Sequence, residues 1–369
     1  MKPRFLIAVL TLIATTAPGI ADLQSSTKGK LPLKSISVLS FGPDGLLLIG
    51  DGLGKQILAV ETGDTRKQKL DFTQIKDIDT QLAGKIGATP KGIEILDLGV
   101  NPASGRVYFA IRKQDTKDYL ILTLSGKGEI KEFELDNVKY AQFKLPETNV
   151  KISVITDVAW AGDRVLAAAR ANEAFASKIF VVPTPLKHGM TASIYSAETY
   201  HVQHGRWETK APMSAIIPYT ENDKKYIVGA FSCTPVVRYP VEAIGPGTKV
   251  KGVSVLELGS GNRPLDMFTY EKDGKAYVLA NTFRFHHKKR PFGPSPYWTC
   301  RFEREILSEV ANVNEKALRR LGSKGPATDR VQMIDSFSGV TQMDKIDESR
   351  AVVMRLAEAK TNLEIVDLP

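Results

Sequence analysis

The stretch Glu257–His287, with the sequence ELGSGNRPLDMFTYEKDGKAYVLANTFRFHH, decides the fold. It opens with a glycine-rich loop, and an apolar strand led by Asp266 follows. The turn Lys272–Gly274 leads to a second strand, Ala276–Ala280, which ends in the polar tip Asn281-Thr282. Because a short turn containing Asp-Gly between two apolar runs is typical of a hairpin, the stretch predicts a pair of antiparallel strands.

This arrangement of loop, strand, turn and strand recurs along the chain. Its first strands are predicted to begin near residues 36, 93, 155, 213, 265 and 341. The spacing is roughly 50–60 residues, slightly beyond the length of WD40 and kelch repeats, and it is longer in the last interval. Radial repetition of four-stranded antiparallel units protects strand edges, so the sequence predicts an all-β propeller. Six blades are expected, with seven as the alternative.

Three segments depart from the simple repeat. The sixth unit lacks a clear fourth strand before the chain ends, and we expect Leu31–Ser35 to supply it and close the ring. The long last interval is predicted to hold a loop-and-helix insertion at 284–329, because apolar residues from Phe302 onward follow a helical spacing. The same spacing predicts a short helix over the rim within Phe72–Ile86.

The N-terminus has the features of a signal peptide. Two basic residues precede an apolar run, Phe5–Ala14, that is too short to span a bilayer, and small residues follow up to Ala21. We therefore expect a signal peptide at 1–21 and a single propeller domain at 22–369. No later stretch is long and apolar enough for a transmembrane helix, so the mature protein is expected in the periplasm or outside the cell.

The 369-residue chain carries a formal net charge of +9. Its basic residues are scattered, apart from one dense run at His286–Arg290. A nucleic-acid-binding protein would gather them on one face with aromatic residues between, so nucleic acid is not an expected partner. The expected partner is a small molecule or another protein, and the protein itself is expected to be a monomer.

The units at 36–61, 92–135, 155–182 and 265–282 resemble the NHL, YVTN and gluconolactonase-like class of exported propellers. The resemblance covers nearly the whole mature chain, but it is architectural: no family-specific motif is matched, and no catalytic residue is carried over. It implies a polar central channel and a ligand bound where loops converge at one mouth. Such propellers include both enzymes and pure binding proteins, so the fold alone does not choose between them.

Three carboxylates near the predicted axis form a candidate metal site: Glu94, Asp157 and Asp266. In a propeller, the loops into the first strands share one face with the loops between second and third strands. A set of oxygen ligands there suits Ca²⁺. The cation would polarise the carbonyl of a lactone or ester, with one carboxylate as general base. The alternative is that these residues only face a wet channel.

The segment around His201 and His204 is a second candidate site. It lies in a long loop, and long loops are often functional. The two histidines and Glu208 could bind Zn²⁺ or Cu²⁺, with Cys233 or His286 as a further ligand. One histidine could instead act as a general base or contact an anion beside Arg206. The alternative is that both histidines bond to loop carbonyl groups and hold the loop in place.

Cys233 and Cys300 are the two cysteines of the chain, and an oxidising compartment would favour a disulfide between them. The sequence therefore supports three functional hypotheses: a non-catalytic binding propeller, a Ca²⁺-dependent lactonase or esterase, and a copper or redox site at His201, His204 and Cys233. The ligand-binding face of the first hypothesis consists of Arg170, Asn172, His201, His204, Arg206, Arg263 and Asn281.

Overall fold

Short strands rich in β-branched and aromatic residues pair into six sheets arranged as a six-bladed β-propeller, and the pairing is antiparallel except at the outermost strand of the third blade. The protein is described here by a computed structural model covering residues 23–202, 204–207, 210–232, 235–243, 247–259, 261–289, 291, 293–312, 317 and 330–369. The prediction of a propeller with six blades is confirmed. No helix in the described part of the chain is long and apolar enough to cross a membrane. The predicted signal peptide at 1–21 lies outside the described residues.

Each blade is given from the innermost strand outwards. Blade 1 consists of Val38–Phe41, Leu46–Asp51, Gln56–Glu61, Val138–Lys144 and Thr27–Gly29. Blade 2 consists of Ile93–Val100, Val107–Lys113, Tyr119–Leu124 and Ile130–Glu132. Blade 3 consists of Ile152–Trp160, Arg164–Ala171, Ser177–Pro183, Ser193–Glu198 and Lys249–Lys251.

The remaining three blades each have four strands. Blade 4 consists of Met213–Glu221, Lys224–Phe231, Pro235–Pro240 and Val253–Glu257. Blade 5 consists of Asn262–Lys272, Lys275–Arg284, Tyr297–Glu303 and Val331–Met333. Blade 6 consists of Val340–Lys345, Arg350–Ala357, Lys360–Asp367 and Gln74–Ile75.

Smaller elements join or flank the blades. Leu23–Ser25 pairs in parallel with Leu186–Lys187, and Tyr200–His201 forms a hairpin with Arg206–Trp207. The predicted rim helix is confirmed as Ile78–Lys85, which buries Ile78 and Leu82. Short 3₁₀ turns lie at Pro43–Gly45, Pro90–Gly92, Val241–Ala243, Arg304–Leu307 and Asp335–Phe337.

The blades do not follow one another around the axis in chain order. Six buried apolar clusters fill the spaces between neighbouring sheets, and their members show which blades are neighbours. One cluster joins blades 1 and 3, and another joins blades 2 and 6. The order around the axis is therefore 2, 1, 3, 4, 5, 6, with blades 1 and 2 exchanged relative to the sequence.

The exchange corrects the predicted closure of the ring. Blade 6 takes its fourth strand from Gln74–Ile75, not from Leu31–Ser35. After three strands of blade 1, the chain crosses to the edge of blade 6, builds blade 2, and returns to complete blade 1 with Val138–Lys144. Leu31 instead packs between blades 1 and 2, because its side chain joins the apolar cluster there.

The long interval in blade 5 also differs from the prediction. Phe302 lies in the third strand, Tyr297–Glu303, and not at the start of a helix. That strand pairs with Lys275–Arg284 and with Val331–Met333, so at Phe302 the backbone hydrogen bonds of the sheet override the helical spacing. The later part of the predicted insertion at 284–329, residues 313–316 and 318–329, lies outside the described residues.

Candidate ligand-binding cavity

A cavity of about 1280 Å³ follows the axis of the propeller, and all six innermost strands contribute to its wall. At one end the innermost strands begin and the second strands end. The register pairs Glu94 with Arg112 in blade 2 and places Arg170 opposite Val154 in blade 3. The starts of the innermost strands and the ends of the second strands therefore share one face, as predicted. We call this end of the cavity the entry mouth.

Four aspartates from four blades line the cavity: Asp97, Asp157, Asp266 and Asp344. Each accepts a hydrogen bond from a backbone N–H of the next blade around the axis. The donors are Leu39 N to Asp97 at 2.7 Å, Ile216 N to Asp157 at 2.6 Å, Met343 N to Asp266 at 3.1 Å and Val100 N to Asp344 at 2.6 Å. The aspartates thus tie neighbouring innermost strands together inside the channel.

Burial raises the pKa of all four carboxyl groups, because the charged form is poorly solvated deep in the channel. The pKa of Asp157 rises to about 7 and that of Asp344 to about 6. The pKa of Asp266 rises to about 8, by burial and by the charges of Asp157 and Asp344. Asp97 is also raised well above its usual range, by burial and by the charge of Asp266. The cavity can therefore hold carboxyl groups in either protonation state near neutral pH.

Asp157 and Asp266 were predicted from the sequence as site residues, whereas Asp97 and Asp344 were not. In blade 2 the prediction was Glu94, three residues before the carboxylate that faces the other aspartates. Glu94 is the second residue of its strand, whereas Asp97, Asp266 and Asp344 are each the fifth residue of theirs, so Glu94 lies at a different depth along the channel. An acidic residue flanked by leucines, as in Leu96-Asp97-Leu98, is the signal that could have found Asp97.

Glu94 lies at the entry mouth, where its carboxylate forms an ion pair with Arg112 and accepts a bond from Gln114. Both oxygens of Asp157 accept backbone N–H groups, from Val158 and Ile216. These three carboxylates are therefore not gathered as one ligand set. Among the described residues, no group of three or more His, Cys, Asp or Glu side chains is placed to hold a metal ion. The calcium site stays a prediction.

Arg170 and Arg263, two members of the predicted ligand-binding face, line the cavity at the entry mouth. Neither guanidinium has an ion-pair partner within the described ranges. Asn172, a third member, is exposed just beyond the second strand of blade 3 and is not part of the cavity wall. The arginines are therefore the charged groups of this face that a ligand in the cavity can reach.

Asn281 is buried and joins blade 5 to blade 6. Its side-chain oxygen accepts the backbone N–H of Asp266 at 2.7 Å, and its amide nitrogen donates to the carbonyl of Val340 at 3.3 Å. These contacts position the Asp266 backbone, so Asn281 supports the cavity wall and does not line it.

His201, His204 and Arg206 lie away from the cavity. They belong to the hairpin 200–207, which packs against the outermost strand of blade 4: the hydroxyl of Ser254 donates to the carbonyl of Tyr200 at 2.6 Å. The two imidazole rings are stacked, with centroids 5.2 Å apart and planes inclined by 14°. The structure therefore separates these residues from Arg170 and Arg263, with which they were predicted to form one face.

Cys300 is fully buried in the third strand of blade 5. Cys233, Glu208 and Gln203 lie outside the described residues. The Cys233–Cys300 disulfide and the copper or redox site at His201, His204 and Cys233 both stay predictions.

No protein-family model matches the sequence, and no curated protein matches it. Some solved structures have a similar fold, but their similarity to this chain is low in both sequence and structure. They include extracellular domains 1–2 of Drosophila Semaphorin 1a, with 11% identity, a TM-score of 0.37, and coverage of 94% of this chain and 88% of that one. Lignostilbene dioxygenase of Pseudomonas brassicacearum has 11% identity and a TM-score of 0.34, covering 90% and 69%.

The extracellular region of Plexin A4 has 9% identity and a TM-score of 0.42, with coverage of 93% of this chain and 46% of that chain. The present chain thus spans about half of the plexin region. At identities and scores this low, the similarities carry no argument about function, which has to be argued from the cavity itself.

Proposed function

We propose that this protein is an exported six-bladed β-propeller that binds a small ligand in its axial cavity, entering at the entry mouth. Export is inferred from the basic and apolar features of residues 1–21. The proposal concerns binding and requires no catalytic step.

One observation carries the proposal. The cavity combines two arginines at its mouth, neither paired with an acidic residue of the described part of the chain, with four carboxyl groups of raised pKa further in. Burying ionisable groups at this density opposes folding, and perturbed carboxyl groups in a cleft are typical of functional sites. A concave site with a few convergent polar groups is also the usual form of a small-molecule site.

The test is to block the entry mouth. Ser214 lines the cavity at the start of the innermost strand of blade 4, and Thr220 is exposed near the other end of the same strand, outside the cavity wall. We expect Ser214→Trp to abolish the rise in melting temperature that a bound ligand gives, and Thr220→Trp to retain it. The candidate ligands are screened as a panel of neutral sugars, sugar acids, amino acids, aromatic acids and lactones.

The proposal is contradicted if no class in the panel raises the melting temperature of the native protein. It is also contradicted if a ligand raises the melting temperature of Ser214→Trp as much as that of Thr220→Trp.

A Ca²⁺-dependent lactonase or esterase is the alternative function. The observation in its favour is that Asp157 and Asp266 share the cavity and titrate near pH 7–8, where a carboxyl group can exchange protons during a reaction. Metal analysis of the mature protein, purified without chelators, tests the calcium requirement. One equivalent of calcium, lost together with lactone hydrolysis in Asp157→Asn, is the result that the alternative predicts.

A further inference from the structure

The blade-5 side of the entry mouth carries a group of three aromatic side chains, Phe283, Phe285 and Tyr297, which we call the aromatic shelf. Phe283 lies 5.7 Å from Phe285 and 5.0 Å from Tyr297 between ring centroids. Phe285 is 48% exposed and, with Tyr297, contributes to the cavity wall. An exposed phenylalanine at the opening of a polar cavity offers a ligand an apolar surface on which to stack.

Positive charge surrounds the aromatic shelf. The Arg263 guanidinium lies 6.0 Å from the centroid of Phe283, and Arg170 faces the same cavity from blade 3. Lys288 and Lys289 follow in the exposed turn after Phe285, and they too have no ion pair among the residues described. Of the acidic residues at this mouth, Glu94 is paired with Arg112, and Asp79 comes from the rim helix. The mouth therefore has an excess of cations for a ligand to neutralise.

Resting on the ligand-binding function proposed above, we infer that the entry mouth binds an acidic oligosaccharide, a short chain of uronic acid units. Carboxylates of the sugar chain bond to Arg263 and to Arg170, since guanidinium groups have the matching geometry for a carboxylate. The apolar face of a sugar ring stacks on Phe285. The sugar hydroxyls donate hydrogen bonds to the carboxyl oxygens of the aspartates deeper in the channel.

Other anions fit these contacts less well. A polyphosphate has only acceptor oxygens when ionised, so it offers no hydroxyl donors to the carboxyl oxygens of the aspartates. A simple aromatic carboxylate could stack and bind an arginine, but it has no row of hydroxyl donors for the channel. The cavity of about 1280 Å³ exceeds the usual range for drug-sized ligands, so more than one sugar unit can enter.

The experiment compares trigalacturonic acid with its fully methyl-esterified form, by calorimetry on the full mature protein. Both have the same rings and hydroxyls, but the ester has no charge. We expect the acid to bind at least tenfold more tightly than the ester, and its affinity to fall as salt is raised. Arg263→Gln or Arg170→Gln is expected to weaken binding of the acid about 10–100-fold, the range for a hydrogen bond to a charged group.

Phe285→Ala tests the aromatic shelf and is expected to weaken binding of both forms of the trimer. Arg66→Gln, an exposed change outside the cavity wall, is the matched control and is expected to leave both affinities unchanged. Melting curves of all variants check folding. The side chains at 170, 263 and 285 are exposed, so their replacement is expected to leave the fold intact.

Equal affinity for acid and ester would overturn the inference, and so would an unchanged affinity in both arginine variants. If neither trimer binds while another class of the panel raises the melting temperature, the sugar-acid inference fails and the cavity function stands. If no class binds at all, the proposed function itself fails.

Discussion

At the scale of single residues, Asp266 combines a structural role with a chemical one. Its carboxylate accepts the Met343 N–H of blade 6, and its own N–H is held by Asn281. The same carboxyl group faces three other aspartates across the channel, and its pKa is raised to about 8. When it ionises, the charge is poorly solvated and is repelled by Asp157 and Asp344.

This geometry predicts how stability depends on pH. Between about pH 4 and pH 8 the folded protein keeps a proton on Asp266 that the unfolded chain releases, so stability falls as pH rises through this window. Asp266→Asn is uncharged and retains an oxygen that can accept the Met343 N–H. We expect it to be more stable than the native protein at pH 8, on the order of a few kcal/mol, and the difference to shrink to about 1–2 kcal/mol at pH 5.

Urea unfolding at pH 5, 6.5 and 8 measures this difference. Asp118→Asn is the control, because Asp118 is exposed and makes no side-chain hydrogen bond within the described part of the chain. The native protein is expected to lose stability from pH 5 to pH 8, since Asp97, Asp157 and Asp344 are raised in the same direction. An Asp266→Asn protein that is less stable than native at pH 8 would show that the charge is favourable there.

Residue identities alone could predict only part of this site. Arg170 and Arg263 were found because they lie near a strand end and a strand start, which a propeller brings to one face. Asp157 and Asp266 were found as carboxylates on innermost strands, although both lie deeper in the channel. His201 was placed on the same face only because the sequence does not show where a long loop packs. Which carboxylates face one another depends on how far each lies into its innermost strand, and the exact start of a strand is poorly specified by sequence.

At the scale of elements, the two-residue strand Gln74–Ile75 closes the ring. It pairs with Lys360–Asp367 in blade 6, and the Gln74 amide reaches the Glu364 carboxylate at 3.2 Å. The rim helix follows it at once and packs into the cluster between blades 2 and 6. The segment therefore joins the first blades of the chain to the last one.

A designed disulfide tests this pairing. Gln74 and Glu364 are opposite each other in the antiparallel register, with side chains in contact. Gln74→Cys combined with Glu364→Cys is expected to form a disulfide on mild oxidation and to raise the melting temperature relative to the reduced form, because the cross-link closes a long loop. Peptide mapping by mass spectrometry separates this bond from any that involve Cys233 or Cys300.

The matched control is Gln74→Cys with Lys249→Cys, because Lys249 lies on the outer edge of blade 3. It is expected to form no intramolecular bond. A disulfide in the control at the same yield, or none in the 74–364 pair, would contradict the closure described here.

Elements were the most predictable level of the structure. The strands and the rim helix follow from apolar alternation and turn chemistry: Asp273 and Gly274 both adopt left-handed φ, 52° and 74°, as a tight hairpin requires. Phe302 was predicted at the start of a helix but lies in a strand, because sheet hydrogen bonding outweighs a local apolar spacing when a partner strand is available. The edge strand 74–75 is too short to leave a periodic signal.

At the scale of the whole molecule, the number of blades follows from the repeat, but their order does not. Every blade presents apolar side chains on both faces, so any two blades can pack side by side without violating the pattern. The exchange of blades 1 and 2 is set by long-range pairing, and repeat spacing contains no information about it. The spacing therefore predicts the number of blades correctly, but it does not predict which segment closes the ring.

The split construction of blade 1 has a consequence during protein synthesis. Its third strand, Gln56–Glu61, receives its outer neighbour only from Val138–Lys144, about eighty residues later in the chain. At bacterial and eukaryotic elongation rates, the nascent chain waits on the order of ten seconds for that partner to leave the ribosome. During this interval the outer edge of Gln56–Glu61 has no partner strand. Its unpaired backbone N–H and C=O groups can therefore bind a chaperone that holds extended segments.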